Sequence, residues 1–209
     1  MMALARRCKY EGMAGGGREW VELERAQGGE RETTPRALRV KLLTDAALGM
    51  SHLHSKNVVH LDLKCQNLLV TGSKKNPRCK VADFGLSVQR QNNRRSLSTM
   101  KEMVGTPCFM APEMVNFEGA KVDERVDVFS FGMVMWEALT ARTPFEDWMD
   151  VPFSQIRIPI EMKENNLRPE VPSSCETDYR QLMEECWDGN KVKRPDFPEI
   201  AARLETMKQ

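Results

Sequence analysis

His60-Leu61-Asp62-Leu63-Lys64-Cys65-Gln66-Asn67 sets a carboxylate, an ammonium and a carboxamide on one short loop. These groups can serve as a base, a cation that neutralises phosphate oxygens, and an oxygen ligand for a hard metal ion. Alone, the same residues also describe a charged surface turn. What flanks them narrows the choice. Upstream, residues 35–55 place Leu38, Leu42, Ala46, Gly49 or Met50, and Leu53 at helical spacing, with Thr34 expected as N-cap and Pro35 at the first helical position. Downstream, the short apolar runs NVVH (57–60), NLLV (67–70) and CKVAD (79–83), with TGSKKNPR (71–78) between the last two, predict a small hairpin of short strands.

Asp83-Phe84-Gly85 puts a second carboxylate at a strand end, before a glycine that lets the backbone turn. Such a group can hold Mg²⁺, which uses few protein carboxylates and completes its shell with phosphate and water. Residues 89–101 (QRQNNRRSLSTMK) are polar and basic, and 105–113 (GTPCFMAPE) are broken by prolines, so neither is expected to form regular structure. Residues 123–141 (DERVDVFSFGMVMWEALTA) are apolar on nearly every face and predict a central helix. A proline-rich stretch (143–160) then leads to two amphipathic helices, 175–187 and 196–208, the first capped near Ser174. Glu113 and Arg194 are candidates to pair, since buried charges need partners. The first 34 residues, with Gly15, Gly16, Gly17, Gly28 and Gly29, read as loop with at most a short helix at 18–26. The fold class expected is α+β, mostly helical with a small β element.

The 209 residues are 41% apolar, enough for one sizeable core. With 31 basic against 30 acidic residues, the charge is no footprint for a nucleic-acid or membrane-surface binder. Six scattered cysteines without a CxxC pair suit reduced thiols and a cytoplasmic location. The most apolar run carries Asp127 and Glu137 and is too short for a membrane span, and the N-terminus shows no signal-peptide core.

In the order HLDLKCQN, DFG, GTPCFMAPE, DVFSFG and KRPDF, the chain resembles the eukaryotic protein kinase family from about Pro35 to its C-terminus. The resemblance implies the large C-terminal lobe over 35–209, ATP and Mg²⁺ as cofactors, and a protein substrate presenting Ser or Thr. Asp62 would orient the substrate hydroxyl and accept its proton, Lys64 would neutralise the phosphoryl group in transfer, and Asn67 with Asp83 would hold Mg²⁺. Leu69 matches the residue beneath the adenine ring. His60 and Phe84 match an apolar stack linking the lobes, and Asp127 the helix-start carboxylate that holds the catalytic loop. Lys64 and Thr106 favour Ser/Thr substrates, while Trp136-Glu137 and the RPDF tail are more similar to the tyrosine-kinase-like branch, with dual specificity open.

Two features depart from the family pattern. Leu61 stands where most members carry the arginine that pairs with a phosphate on the activation loop, so that switch is expected to be lacking. Ser96, Ser98 and Thr99 beside Arg94 and Arg95 read equally as a phosphorylation site or a solvated basic loop. The larger departure is that the chain holds no GxGxxG followed by valine, no strand lysine in a VAIK-like context and no helix glutamate to pair it. Residues 8–27 instead resemble the interlobe hinge and its following helix, which makes 1–34 hinge-like and leaves the small β-rich N-terminal lobe missing. Two readings follow: a Ser/Thr kinase fragment inactive by itself, or a catalytically inactive kinase-like module that binds a partner, such as a regulatory protein.

Overall fold

The structure, a computed structural model, describes residues 9–10, 34–73, 75–89, 97–100, 105–115 and 120–208. Helix α1 (Arg36–Ser55) begins at an N-cap of Pro35 rather than Thr34, with no side-chain cap. Pro35, at φ −51° and ψ 139°, is itself the boundary: its ring fixes φ, its ψ is still extended, and its carbonyl accepts the first helical bond, from Arg39 N–H at 2.9 Å. The buried stripe of α1 runs through Val40, Leu42, Leu43, Ala46, Ala47 and Met50, with Leu38 and Leu53 packed at its margin. Gly49 is where α1 meets the sheet, since a β-carbon there would lie 3.1 Å from Val81.

After α1, β2 (Val58–Val59) leads into the loop and then to the hairpin β3 (Leu68–Ser73) and β4 (Asn76–Val81). Pairing runs from Leu68↔Val81 to Ser73↔Asn76, so the ladder continues through most of the expected turn. Gly72 permits this: at φ +87° a side chain would strike the Asn76 carbonyl at 2.7 Å. The backbone of β1 (Lys9–Tyr10) lies parallel to β3, Lys9 opposite Leu69, while β5 (Val88–Gln89) pairs with β2. The short helix anticipated at 18–26 and the glycines 15–17 lie outside the described residues.

Three segments differ from expectation. Part of the basic stretch forms β6 (Leu97–Met100), antiparallel to β7 (Ala120–Val122), a nonlocal pairing that local polarity does not announce. Residues 105–115 contain two 3₁₀ turns, Pro107–Phe109 and Pro112–Met114, each opened by a proline whose missing N–H costs nothing there. Helix α3 (Ser154–Glu164) occupies the proline-rich stretch; Pro159 inside it forfeits one helical bond but buries its ring beside Ile158 and Met162.

Helix α2 (Arg125–Thr140) is the centre of the core, with every residue from Val126 to Leu139 buried. Hydrogen bonds tie it to its neighbours: Ser130 donates to the Phe109 carbonyl at 2.8 Å, and Tyr179 of α4 (Thr177–Cys186) donates to the Met135 carbonyl at 2.7 Å. Gly132 gives α4 its close approach, for a β-carbon would sit 3.1 Å from Cys186 and Trp187. Helix α4 starts from Glu176 without a side-chain cap, not from Ser174, whereas α5 (Phe197–Thr206) is capped by Asp196, which accepts from Glu199 N–H at 2.9 Å. The predicted pair forms: Arg194, fully buried, meets Glu113 in a two-pronged contact of 2.6 and 2.8 Å and donates to the carbonyls of Asp188 and Arg125. Cys65, Cys79, Cys108, Cys175 and Cys186 are buried free thiols. Among the described residues no helix is long and apolar enough to cross a membrane.

Candidate active site

The loop between β2 and β3 is held from below by one carboxylate. Asp127, fully buried in the first turn of α2, accepts from the backbone N–H groups of His60 (2.8 Å) and Leu61 (2.9 Å), and His54 Nε2 lies 2.9 Å from the same carboxylate. This grip keeps Leu61 at φ +69°, an uncommon conformation for a branched residue. Leu61 is itself buried, so the position that carries a charged side chain in most of the resembled family here packs into the core. Gly105, at φ +107°, rests on the Leu61 carbonyl; a β-carbon would approach it to 2.6 Å. The backbone contact at Gly105 therefore sets the next residue, Thr106, over the loop.

There the side chains converge. Asp62 Oδ1 accepts from the Thr106 hydroxyl at 2.7 Å, and Oδ2 lies 2.8 Å from Lys64 Nζ and 3.0 Å from Asn67 Nδ2. Lys64 also donates to Thr106 Oγ1 (2.8 Å), and Asn67 Nδ2 to the Asp62 carbonyl (2.8 Å). Burial pushes the Asp62 carboxyl up, but the hydrogen bonds from Lys64 and Thr106, the Lys64 charge and the bond from Asn67 outweigh it and hold the group below the usual aspartate range. Asp62 is thus an ionised carboxylate with fixed direction.

His60 is a packed residue. Its Nδ1 accepts from Asp62 N–H at 3.3 Å, which leaves Nε2 to donate to the Ala82 carbonyl at 3.1 Å, and its ring lies 5.5 Å from that of Phe84. Asn67 joins the two halves of the site through its carbonyl, which accepts from Ala82 N–H at 2.9 Å. The next residue, Asp83, is exposed at φ +64°, and its Oδ1 accepts from Gly85 N–H at 3.4 Å. Leu69 is half-buried on β3, opposite Lys80 on one side and the backbone of Lys9 on the other.

Of the residues singled out in the sequence, Asp62, Lys64 and Asn67 form one bonded cluster. Asp83 stands beside it, linked through the backbone, and Leu69 lies on the strand that follows. Asn67 spends both of its Nδ2 bonds on Asp62, so Oδ1 is the atom it can offer a cation. Together with the exposed carboxylate of Asp83 this is a small, hard oxygen set, which fits Mg²⁺ sharing its shell with phosphate. The sequence reading missed two contributors to this geometry. Thr106 was read for substrate class, not as a donor to Asp62 from 44 residues away, and His54 was not singled out. Only its place in the last turn of α1, just before the loop, hinted at the latter.

Comparison with known proteins agrees with this architecture. Residues 18–204 match the family model described as protein tyrosine and serine/threonine kinase. The dual-specificity protein kinase shkC of Dictyostelium discoideum is 39% identical over 173 residues, which is 82% of this chain and 32% of that protein. A serine/threonine/tyrosine-protein kinase of Arabidopsis thaliana is 39% identical over 166 residues, 79% of this chain and 39% of its own length. A second D. discoideum dual-specificity kinase, shkA, is 37% identical over 173 residues, 82% of this chain and 31% of that protein. The chain spans about a third of the length of these relatives. With five ordered motifs, a mostly helical α+β fold and a match over most of its length, this chain belongs to the protein tyrosine and serine/threonine kinase family.

Proposed function

We propose that this chain carries the acceptor-activating part of an ATP-dependent protein kinase that phosphorylates serine and threonine. The observation that carries the reading is the Asp62 carboxylate, ionised and aimed by Thr106, Lys64 and Asn67. A substrate hydroxyl placed against Asp62 gives up its proton to that carboxylate as its oxygen bonds to the γ-phosphorus of ATP, and the bond to the β-phosphate oxygen breaks to release ADP. Lys64 lies close enough to Asp62 to share the site with the group in transfer, and its ammonium offsets the negative charge there. Asn67 Oδ1 and Asp83 would hold Mg²⁺, which supplies charge neutralisation across the phosphates. Leu69 offers its half-buried side chain to the adenine, and the pairing of Lys9 with Leu69 supports placing the hinge-like segment, within residues 1–34, at that edge of the 35–209 lobe.

The preference for Ser/Thr rests on Lys64 and Thr106, both bonded to Asp62. The test is phosphoamino-acid analysis after Mg-ATP turnover by the natural protein containing these residues. Phosphoserine and phosphothreonine are expected; phosphotyrosine alone would overturn the assignment.

The second reading is a binding module without catalysis. On it, these 209 residues, which hold no glycine-rich phosphate loop and no VAIK-type lysine, bind a partner by themselves and transfer no phosphoryl group. Phe84, Leu86 and Val88, at 48%, 45% and 38% exposure, line a face beside the site that the rest of a kinase domain or a regulatory protein would cover. We infer that the chain alone is inactive, so Mg-ATP should raise its melting temperature little; a shift implying tight binding would contradict that.

A further inference from the structure

Four of the large apolar side chains that the described residues expose lie within one short stretch: Met149 (41%), Val151 (36%), Phe153 (82%) and Ile156 (49%). The stretch joins the 3₁₀ turn Glu146–Trp148 to the first turn of α3, whose buried face (Ile158, Pro159, Met162) points the other way, so these residues form no part of the core. Phe153 is the sharpest case. It is the N-cap of α3 at φ +61°, the left-handed region that favours glycine, and its ring is the most exposed of the large apolar groups. An aromatic held in that backbone conformation and offered to water gains nothing from the fold of this chain.

Charge around the patch says what covers it. Residues 142–161 carry four carboxylates, Glu146, Asp147, Asp150 and Glu161, against two guanidiniums, Arg142 and Arg157. Arg142 is already engaged by Glu146 and Asp147, and Arg157 by Glu161 and the face of Trp148. Asp150, exposed between Met149 and Val151, has no ion-pair partner among the described residues. The excess is negative, so a face-to-face contact between two copies would set acid against acid. We propose that the surface formed by Met149, Val151, Phe153 and Ile156 with Asp147 and Asp150 docks a protein segment presenting an apolar anchor flanked by lysine or arginine. This surface is separate from the Asp62 cluster and does not depend on phosphoryl transfer.

The test measures binding of a short fluorescent peptide, an apolar centre of leucine and phenylalanine flanked by arginines, to the full chain by anisotropy. A control peptide carries glutamate in place of arginine. The arginine peptide should bind and the glutamate peptide should not. Phe153→Gly and Asp150→Lys should each weaken binding about tenfold or more, while Val192→Ser, at an exposed apolar residue outside the patch, should leave it unchanged. Phe153→Gly should not lower the melting temperature, since it relieves the backbone and removes no core contact. Equal affinity of the wild type and Phe153→Gly, or equal binding of both peptides, would overturn the proposal. So would concentration-dependent dimerisation of the chain that Phe153→Gly abolishes, because the occupant would then be a second copy.

Discussion

Phe129, Phe131 and Tyr179 in the half of the molecule built on α2 are fully buried, whereas Phe84, Leu86 and Val88 beside the candidate site stand between a third and a half exposed. The two regions also treat their backbones differently. Through α2, α4 and α5 the chain runs in regular helix, and its buried charge Arg194 is matched by Glu113 and two carbonyls. The half built on α2 takes positive φ at connections beside its helices, at Ala141, Phe145, Phe153 and Asn166, whereas Leu61, Asp83 and Gly105 take it within the candidate site itself, Leu61 held there by its N–H bond to Asp127. The difference teaches that the helical half stabilises itself, while the loop face is kept in an unfavourable conformation by anchors that the helical half provides. Each of the following changes strikes one side of that division.

The largest effect should come from Arg194→Ala. It strands Glu113, removes packing over Phe129 and leaves a space in the core, so unfolding in denaturant should show a loss of about 3 kcal/mol or more. A loss below about 1 kcal/mol would mean that the helical half does not depend on this pair. Gly105→Ala should follow, at about 1–3 kcal/mol, because the β-carbon must move away from the Leu61 carbonyl and leave a strained φ. If the variant keeps wild-type stability, the loop face is not held as tightly as these distances say.

A smaller effect belongs to Asp62. Its folded carboxyl titrates below the unfolded value, so its bonds stabilise the chain above about pH 4 and that contribution fades as pH falls through the lower folded value. The gap in melting temperature between the wild type and Asp62→Asn should therefore hold steady near neutral pH and close on acidification; a gap that widens in acid would reverse the sign of the shift. The smallest effect is expected for Phe84→Ser combined with Leu86→Ser, within about 0.5 kcal/mol per site, since neither side chain belongs to the core of this chain. A large loss there would show that the loop face contributes to the fold in its own right.

Much of this division was legible in the sequence because its signals are local or nearly so. The all-round apolarity of residues 126–139 announces a central helix, and Asp62, Lys64 and Asn67 are near neighbours in the chain. Glu113 and Arg194 are far apart, yet the need of buried charges for partners was enough to pair them. Helix α3 was hidden by Pro152 and Pro159, which read as breakers, although the burial of Ile158 and Met162 outweighs one missing hydrogen bond. The β6–β7 ladder and the bonds of Thr106 to Asp62 and of His54 to Asp127 join residues that no local pattern relates. Thr34 and Ser174 failed as caps for a different reason: a proline and an extended glutamate, respectively, occupy the residue at which each helix turns.

The most direct measurement is the turnover of Mg-ATP and a Ser/Thr protein substrate by the natural protein containing these residues, compared with its Asp62→Asn variant at equal folded concentration. If Asp62 accepts the proton of the substrate hydroxyl, kcat should fall by about 10²-fold to 10⁴-fold at a temperature where both proteins remain folded. Undiminished turnover by Asp62→Asn would contradict the account at its centre.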